Sequence, residues 1–139
     1  MGTVIRAELS ENNKYWISKH RYYELKHFCL QYPIWKKAYA AINDSPGSAS
    51  IIEMSPCTNL ASDRTGRNAV LKAYYAERIE LIERTAYRTD HVLGSYILRA
   101  VTEELSYTYL HSKLEMPCGR DMYYDRYRKF FWLLSNARD

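Results

Sequence analysis

The sequence predicts an all-α fold, a helical N-terminal segment followed by a bundle that ends in a helix-turn-helix, and three observations carry that expectation. Gly and Pro number only 5 and 4 in 139 residues, too few turn formers to punctuate a sheet. Apolar residues recur mostly at steps of three and four rather than two. After Gly119, the residues Tyr123, Tyr127, Phe130, Phe131 and Leu134 fall on one continuous helical stripe.

Taken in order, Trp16, Tyr22, Tyr23, Leu25, Phe28 and Cys29 sit among Lys, Arg and His as an amphipathic helix over residues 14–31. Pro33 breaks it, and a second short helix over 34–42 follows, because a proline costs least at the start of a helix. Residues 44–66 hold the turn clusters SPGSAS and SPCTNLASDRTG without periodicity and read as a loop or linker. A long helix then carries Leu71, Tyr75, Ile79, Ile82 and Ala86 on one stripe. Asp90 is placed to cap the next helix, with Leu93, Tyr96, Ile97, Ala100 and Val101 inward. Ser106 caps a short piece over 107–114, Met-Pro-Cys-Gly interrupts it, and the last helix runs over 120–136. Three segments result: a helical extension over 1–43 suited to a dimer or partner interface, the linker over 44–66, and a helical domain over 67–139 with its helix-turn-helix at about 106–136.

Composition narrows the function classes. The net charge of +4 and a pI near 8.9 suit attraction to a polyanion without resembling a basic tail. Fourteen tyrosines supply rings with a polar tip, fit for half-buried faces. Cys29, Cys57 and Cys118 form no CxxC pair and leave an odd thiol under any pairing, as expected of reduced cytosolic thiols. The start MGTVIRAELSENN lacks the apolar stretch of a signal peptide, and no segment approaches the roughly 18 apolar residues of a membrane span, so the expected location is the cytoplasm, with no membrane partner.

Catalysis finds no support in the pattern. His20, His27, His91 and His111 show no HExxH spacing, Glu103 and Glu104 point in different directions, and neither GxGxxG nor GxxxxGK occurs. The expectation is a non-enzyme with no catalytic residue, no metal and no cofactor. Cys118, near a helix N-terminus, is expected to have a lowered pKa and a structural role.

The chemistry concentrates in the last helix. A short helix, a four-residue turn and a longer helix with basic residues at its start is the order of a helix-turn-helix, whose second helix enters the major groove. Arg120, Asp121, Tyr124, Asp125, Arg126, Arg128 and Lys129 crowd its first three turns. Arginine takes guanine edges or phosphates bidentately, lysine and tyrosine hold phosphates, and the two aspartates orient arginines or accept from cytosine. Lys113, on the first helix of the pair, is a further candidate phosphate contact. The same stretch, RDMYYDRYRK, also fits a solvated face laced with ion pairs at i, i+4.

These motifs resemble the RinA and ArpU group of phage and prophage transcriptional regulators, whose C-terminal helix-turn-helix is similar to the last region of sigma factors. The resemblance covers most of the chain, from about Lys14 to Leu134. It rests on the Tyr32-Pro33 step within LKHFCLQYPIWKKAYAAI, on SDRTGRNAVLKAYYAERIELIERTA, on HVLGSYILRAVTEELSYTYLHSKL and on PCGRDMYYDRYRKFFWLL. Pro117, Cys118 and Gly119 depart from the usual Ser or Thr cap, and Tyr123 and Tyr127 stand where smaller aliphatics are common. The resemblance implies a sequence-specific DNA-binding regulator in a bacterial host cell, an activator of late genes whose partners are double-stranded DNA and host RNA polymerase. It places Arg120, Asp121 and Tyr124 toward base edges and Arg126, Arg128 and Lys129 toward phosphates. Two alternatives stand beside it: a packaging protein of the small-terminase type, and a helical protein-interaction or inhibitory protein. The aromatic, basic N-terminal run (Lys14, Lys19, Arg21, Lys26, Lys36, Lys37) fits an additional DNA contact, a dimer interface or a solvated face; Trp16, Trp35 and the tyrosines favour a protein interaction, and homodimerisation would suit a palindromic operator.

Overall fold

In a computed structural model, residues 13–43 and 60–138 are described, and they form six helices and no strand. We label them α1 (Lys19–Leu30), α2 (Tyr32–Asn43), α3 (Leu60–Thr89), α4 (Gly94–Glu103), α5 (Tyr107–Ser112) and α6 (Arg120–Arg138). The fold is all-α, as the periodicity predicts.

The described chain falls into two compact units, one made of residues 13–32 and 81–138, the other of 33–43 and 60–80. In the first, α1 packs on α4 and α6, and α4 also touches α5 and α6. Its core is Tyr22, Leu25, Phe28 and Cys29 from α1, Ile82 and Ala86 from the end of α3, Ile97, Ala100 and Val101 from α4, and Tyr123, Phe130, Phe131 and Leu134 from α6. Leu25, Ile82, Ile97, Phe130 and Leu134 are fully buried. Burying side chains of this size stabilises by about 1.5–3 kcal/mol apiece before chain entropy is charged against it.

This core corrects the expectation of an N-terminal extension over 1–43. α1 is an internal member of the bundle. Arg21 donates through Nε to the Ser135 hydroxyl at 2.9 Å and through Nη2 to the Ser135 carbonyl at 2.8 Å. Tyr22 and Tyr127 share a hydroxyl hydrogen bond of 3.0 Å, and the Arg138 guanidinium lies 4.0 Å from the centre of the Phe28 ring. The apolar face that suggested an interface is consumed by α4 and α6, and Trp35 is buried as well. An amphipathic pattern says that a face is covered, not by what.

Helix ends follow local chemistry. α1 starts at Lys19 rather than residue 14, because Asn13 takes the Tyr15 N–H on its side chain and the Trp16 N–H on its carbonyl, making a turn. Ser18, in extended backbone, then caps α1 by accepting the Arg21 N–H. The break before Pro33 shrinks to Gln31 alone, and Pro33 takes the second position of α2, where its missing N–H is not needed. α3 begins at Leu60, so the last seven residues of the predicted linker are helical, while 44–59, including Cys57, lie outside the described residues. Buried Thr85, Thr89 and Thr102 satisfy their hydroxyls on the carbonyls four residues back.

Between α3 and α4 the chain turns sharply. Asp90 accepts the N–H groups of Val92 and Leu93, both at 2.8 Å, and so organises the turn before α4 rather than capping α4 itself, whose N-cap is Leu93. Gly94 permits the close approach: a Cβ there would stand 3.0 Å from the Ala86 carbonyl oxygen and 3.2 Å from the Tyr87 Cα.

Candidate nucleic-acid interface

α5 and α6 are the predicted pair, joined differently from the expectation. Ser106 caps α5 by accepting the Tyr109 N–H at 3.1 Å. The helix stops at Ser112, two residues early, and the connection over 113–119 is seven residues long instead of four. Glu115 adopts φ 57°, the left-handed conformation that ends helices, and Met116 drops into the core at 2% exposure with its N–H on the Leu110 carbonyl. The Cys118 carbonyl accepts from the Tyr107 hydroxyl at 3.1 Å, which ties the turn back to α5. The Gly119 carbonyl receives the Tyr123 N–H, the first turn of α6.

α6 is divided along its length. Its inner stripe, Tyr123, Phe130, Phe131 and Leu134, holds the helix in the bundle, while Arg120, Asp121 and Met122 are exposed at its start. Tyr123 and Tyr127 fill the positions where the resemblance expected smaller aliphatics. Burial pushes both phenols well above the ordinary range, and nearby tyrosines add to the shift, so they stay neutral as packing groups.

Of the predicted contacts, Arg120 and Tyr124 come together in an aromatic cluster. The Arg120 guanidinium sits 4.7 Å from the centre of the Tyr107 ring, and its Nη1 donates to the Tyr124 hydroxyl at 3.4 Å. Tyr107 stacks on His111 with centroids 5.4 Å apart and reaches Tyr123 and Tyr124 at 5.6 and 6.2 Å. An exposed guanidinium held over a ring keeps its N–H edge available to a carboxylate, a phosphate or a guanine edge. Asp121 is exposed beside it, and Lys113 is exposed as the C-cap of α5.

Arg126 does something else. Its Nε donates to Asp90 Oδ2 at 2.9 Å, and its Nη1 pairs with Asp125. Asp90 is 17% exposed, so this is a partly covered bridge from α6 to the α3–α4 turn. Burial acts to raise the Asp90 carboxyl, but the Leu93 N–H, Arg126 and the Val92 N–H together outweigh it and hold its pKa below the ordinary 3.8. The same carboxylate raises the Arg126 guanidinium further. Arg126, expected to meet phosphates, is thus already held by two carboxylates of its own chain. Arg128 is half-buried, with its Nε covered and without a hydrogen-bond partner among the described residues. Lys129 and Asp125 are half-exposed. Cys118 departs from the lowered pKa expected of it: burial raises it first, Asp90 raises it further, and Arg126 offsets only part.

Sequence reasoning missed Tyr107 and the partnership of Asp90. Tyr107 carries no motif, and Asp90 is separated from Arg126 by 36 positions, a pairing that only the packing of α6 creates. Among the described residues no group of three or more His, Cys, Asp or Glu is gathered as a metal site would need, and no helix is long and apolar enough to cross a membrane. No protein-family model, no curated protein and no solved structure matches this chain.

Proposed function

We propose that this chain is a sequence-specific DNA-binding regulator of the phage and prophage class its motifs resemble, an activator of late genes that reads DNA with the start of α6 and contacts host RNA polymerase. The observation that carries the reading is the exposed Arg120 at the first position of a long, core-anchored helix, supported by Tyr107 and Tyr124 and flanked by Asp121. A rigid helix whose N-terminal residues are free to meet base edges is what major-groove readout requires. Arg120 supplies the bidentate donor, Asp121 and Tyr124 its neighbours, and Lys113, Arg128 and Lys129 the phosphate contacts. No catalytic step, cofactor or metal enters the reading.

The test is retention of pooled phage genomic fragments by the purified chain at two salt concentrations, beside an Arg120→Ala, Lys113→Ala variant. The reading expects one promoter-proximal fragment to be retained selectively, with affinity falling as salt rises, and the variant to lose that preference. Failure to retain any fragment at low salt overturns it. A helical protein-interaction role is then favoured by the exposed Val70, Leu71 and Tyr74 on α3.

A further inference from the structure

We infer that the first half of α3 is a self-association surface on which a second copy of this chain packs antiparallel, about a two-fold axis at Lys72. The inference does not depend on DNA binding. Val70, Leu71 and Tyr74 are 69%, 42% and 43% exposed, and Ala69 and Ala73 beside them are exposed as well. Val70, Ala73 and Tyr74 share one helix face, with Leu71 and Ala69 on its two flanks, and an exposed apolar face of this kind is what a partner helix covers.

The charge pattern selects the partner and its direction. Arg67, Val70, Tyr74 and Glu77 follow one another at steps of three, four and three along one face, the spacing of a coiled-coil seam. The stripe thus has a basic end, an apolar middle and an acidic end, with Arg67 exposed and the Glu77 side chain 81% exposed, its carboxylate 3.7 Å from the neighbouring Arg78 in a loose surface pair that a partner's Arg67 has to compete with. A parallel second copy would set Arg67 against Arg67 and Glu77 against Glu77. An antiparallel copy sets Arg67 against Glu77 of the partner subunit at both ends and Val70 against Tyr74 twice between them, so the stripe is complementary to itself. Lys72 lies on the outer side of this seam, its ammonium 5.9 Å from the centre of the Tyr39 ring, and does not meet its own copy.

Tyr74 is ordered in advance. Arg78 lies 3.5 Å from its ring centre, and Tyr75 meets it edge-on at 5.3 Å, so little side-chain freedom is lost when a partner covers it. Beside it, an open depression of about 600 Å³ lined by Val70, Ala73, Tyr74, Ala76, Glu77 and Glu80 receives a knob from the facing helix. The seam is only about 15 Å long, so the dimer is weak and exchanges readily.

Sedimentation equilibrium on the full chain, from about 10 to 500 µM, tests this. The mass is expected to rise from 16.5 kDa toward twice that value. Arg67→Glu and Glu77→Arg should each weaken the dimer by about tenfold or more, by creating like-charge pairs at both ends. Mixed in equal amounts, the two variants should recover it, because each then meets opposite charge. Circular dichroism checks that both remain helical. A monomer across the whole range assigns the face to a different protein and overturns the inference, as does a dimer that neither substitution weakens or that mixing does not restore.

Discussion

The two halves of α6 are built from similar residue types and treated oppositely by the fold. From Tyr127 onward, aromatic rings are driven into the bundle: Phe130 and Phe131 cross at 5.0 Å, Tyr127 meets Phe131 at 5.1 Å, and Tyr22 reaches across from α1 to Phe131 at 5.1 Å. Before Tyr127, Tyr123 still points into the core, but Tyr124, together with Tyr107 of α5, stays near the surface and supports an arginine. One end supplies rigidity and the other presents chemistry, and neither works without the other. Arg126 sits at the divide, its charge spent on the fold.

That contrast is broken most severely at the buried end. Phe130→Ala is expected to destabilise by about 3–5 kcal/mol, read as a lower midpoint in urea, because the ring is fully buried and its neighbours cannot close the void. A loss under about 1 kcal/mol would mean that the second half of α6 is not the anchor.

At the divide, Arg126→Ala should cost about 1.5–3 kcal/mol, the range for a hydrogen bond to a charged group, since it strands the Asp90 carboxylate at low exposure. A cost near zero would return Arg126 to the set of free phosphate contacts. The same bridge sets an acid limit. Asp90 has a folded pKa below 3.8, so its contribution is complete above the unfolded value and disappears as pH falls from about 4 through the folded pKa. Asp90→Asn should flatten the fall in melting temperature below pH 4, and an unchanged slope would remove the bridge from the account.

At the exposed end the expected effect on stability is smallest. Arg120→Ala gives up one surface cation–π contact and should change the unfolding free energy by less than about 1 kcal/mol. A larger loss would make Arg120 a structural residue like Arg126.

Much of this helical layout was legible in the sequence, for reasons that can be named. The stripe Tyr123, Tyr127, Phe130, Phe131, Leu134 predicted α6 because a long run on one helical face has few other uses, and Pro33 marked the α1–α2 break because its ring restricts where a helix can continue. Other features depend on partners distant in sequence. That α1 belongs to the C-terminal bundle is decided by Arg21 meeting Ser135 and Tyr22 meeting Tyr127, more than 100 positions away. The length of the α5–α6 connection turns on Glu115 taking a conformation that glycine usually signals. Arg120 and Arg126 are indistinguishable in the string RDMYYDRYRK. Only the fold puts Tyr107 beneath one and Asp90 beside the other.

The most direct test of the central claim is the affinity of wild type, Arg120→Ala and Lys129→Ala for the selected promoter fragment and for a scrambled fragment of equal length, titrated with salt. Arg120→Ala is expected to lose about 1–3 kcal/mol on the selected fragment and little on the scrambled one. Lys129→Ala should weaken both alike and lower the salt slope by about one. Equal binding of both fragments by wild type, or an Arg120→Ala variant that still tells them apart as wild type does, would contradict that claim.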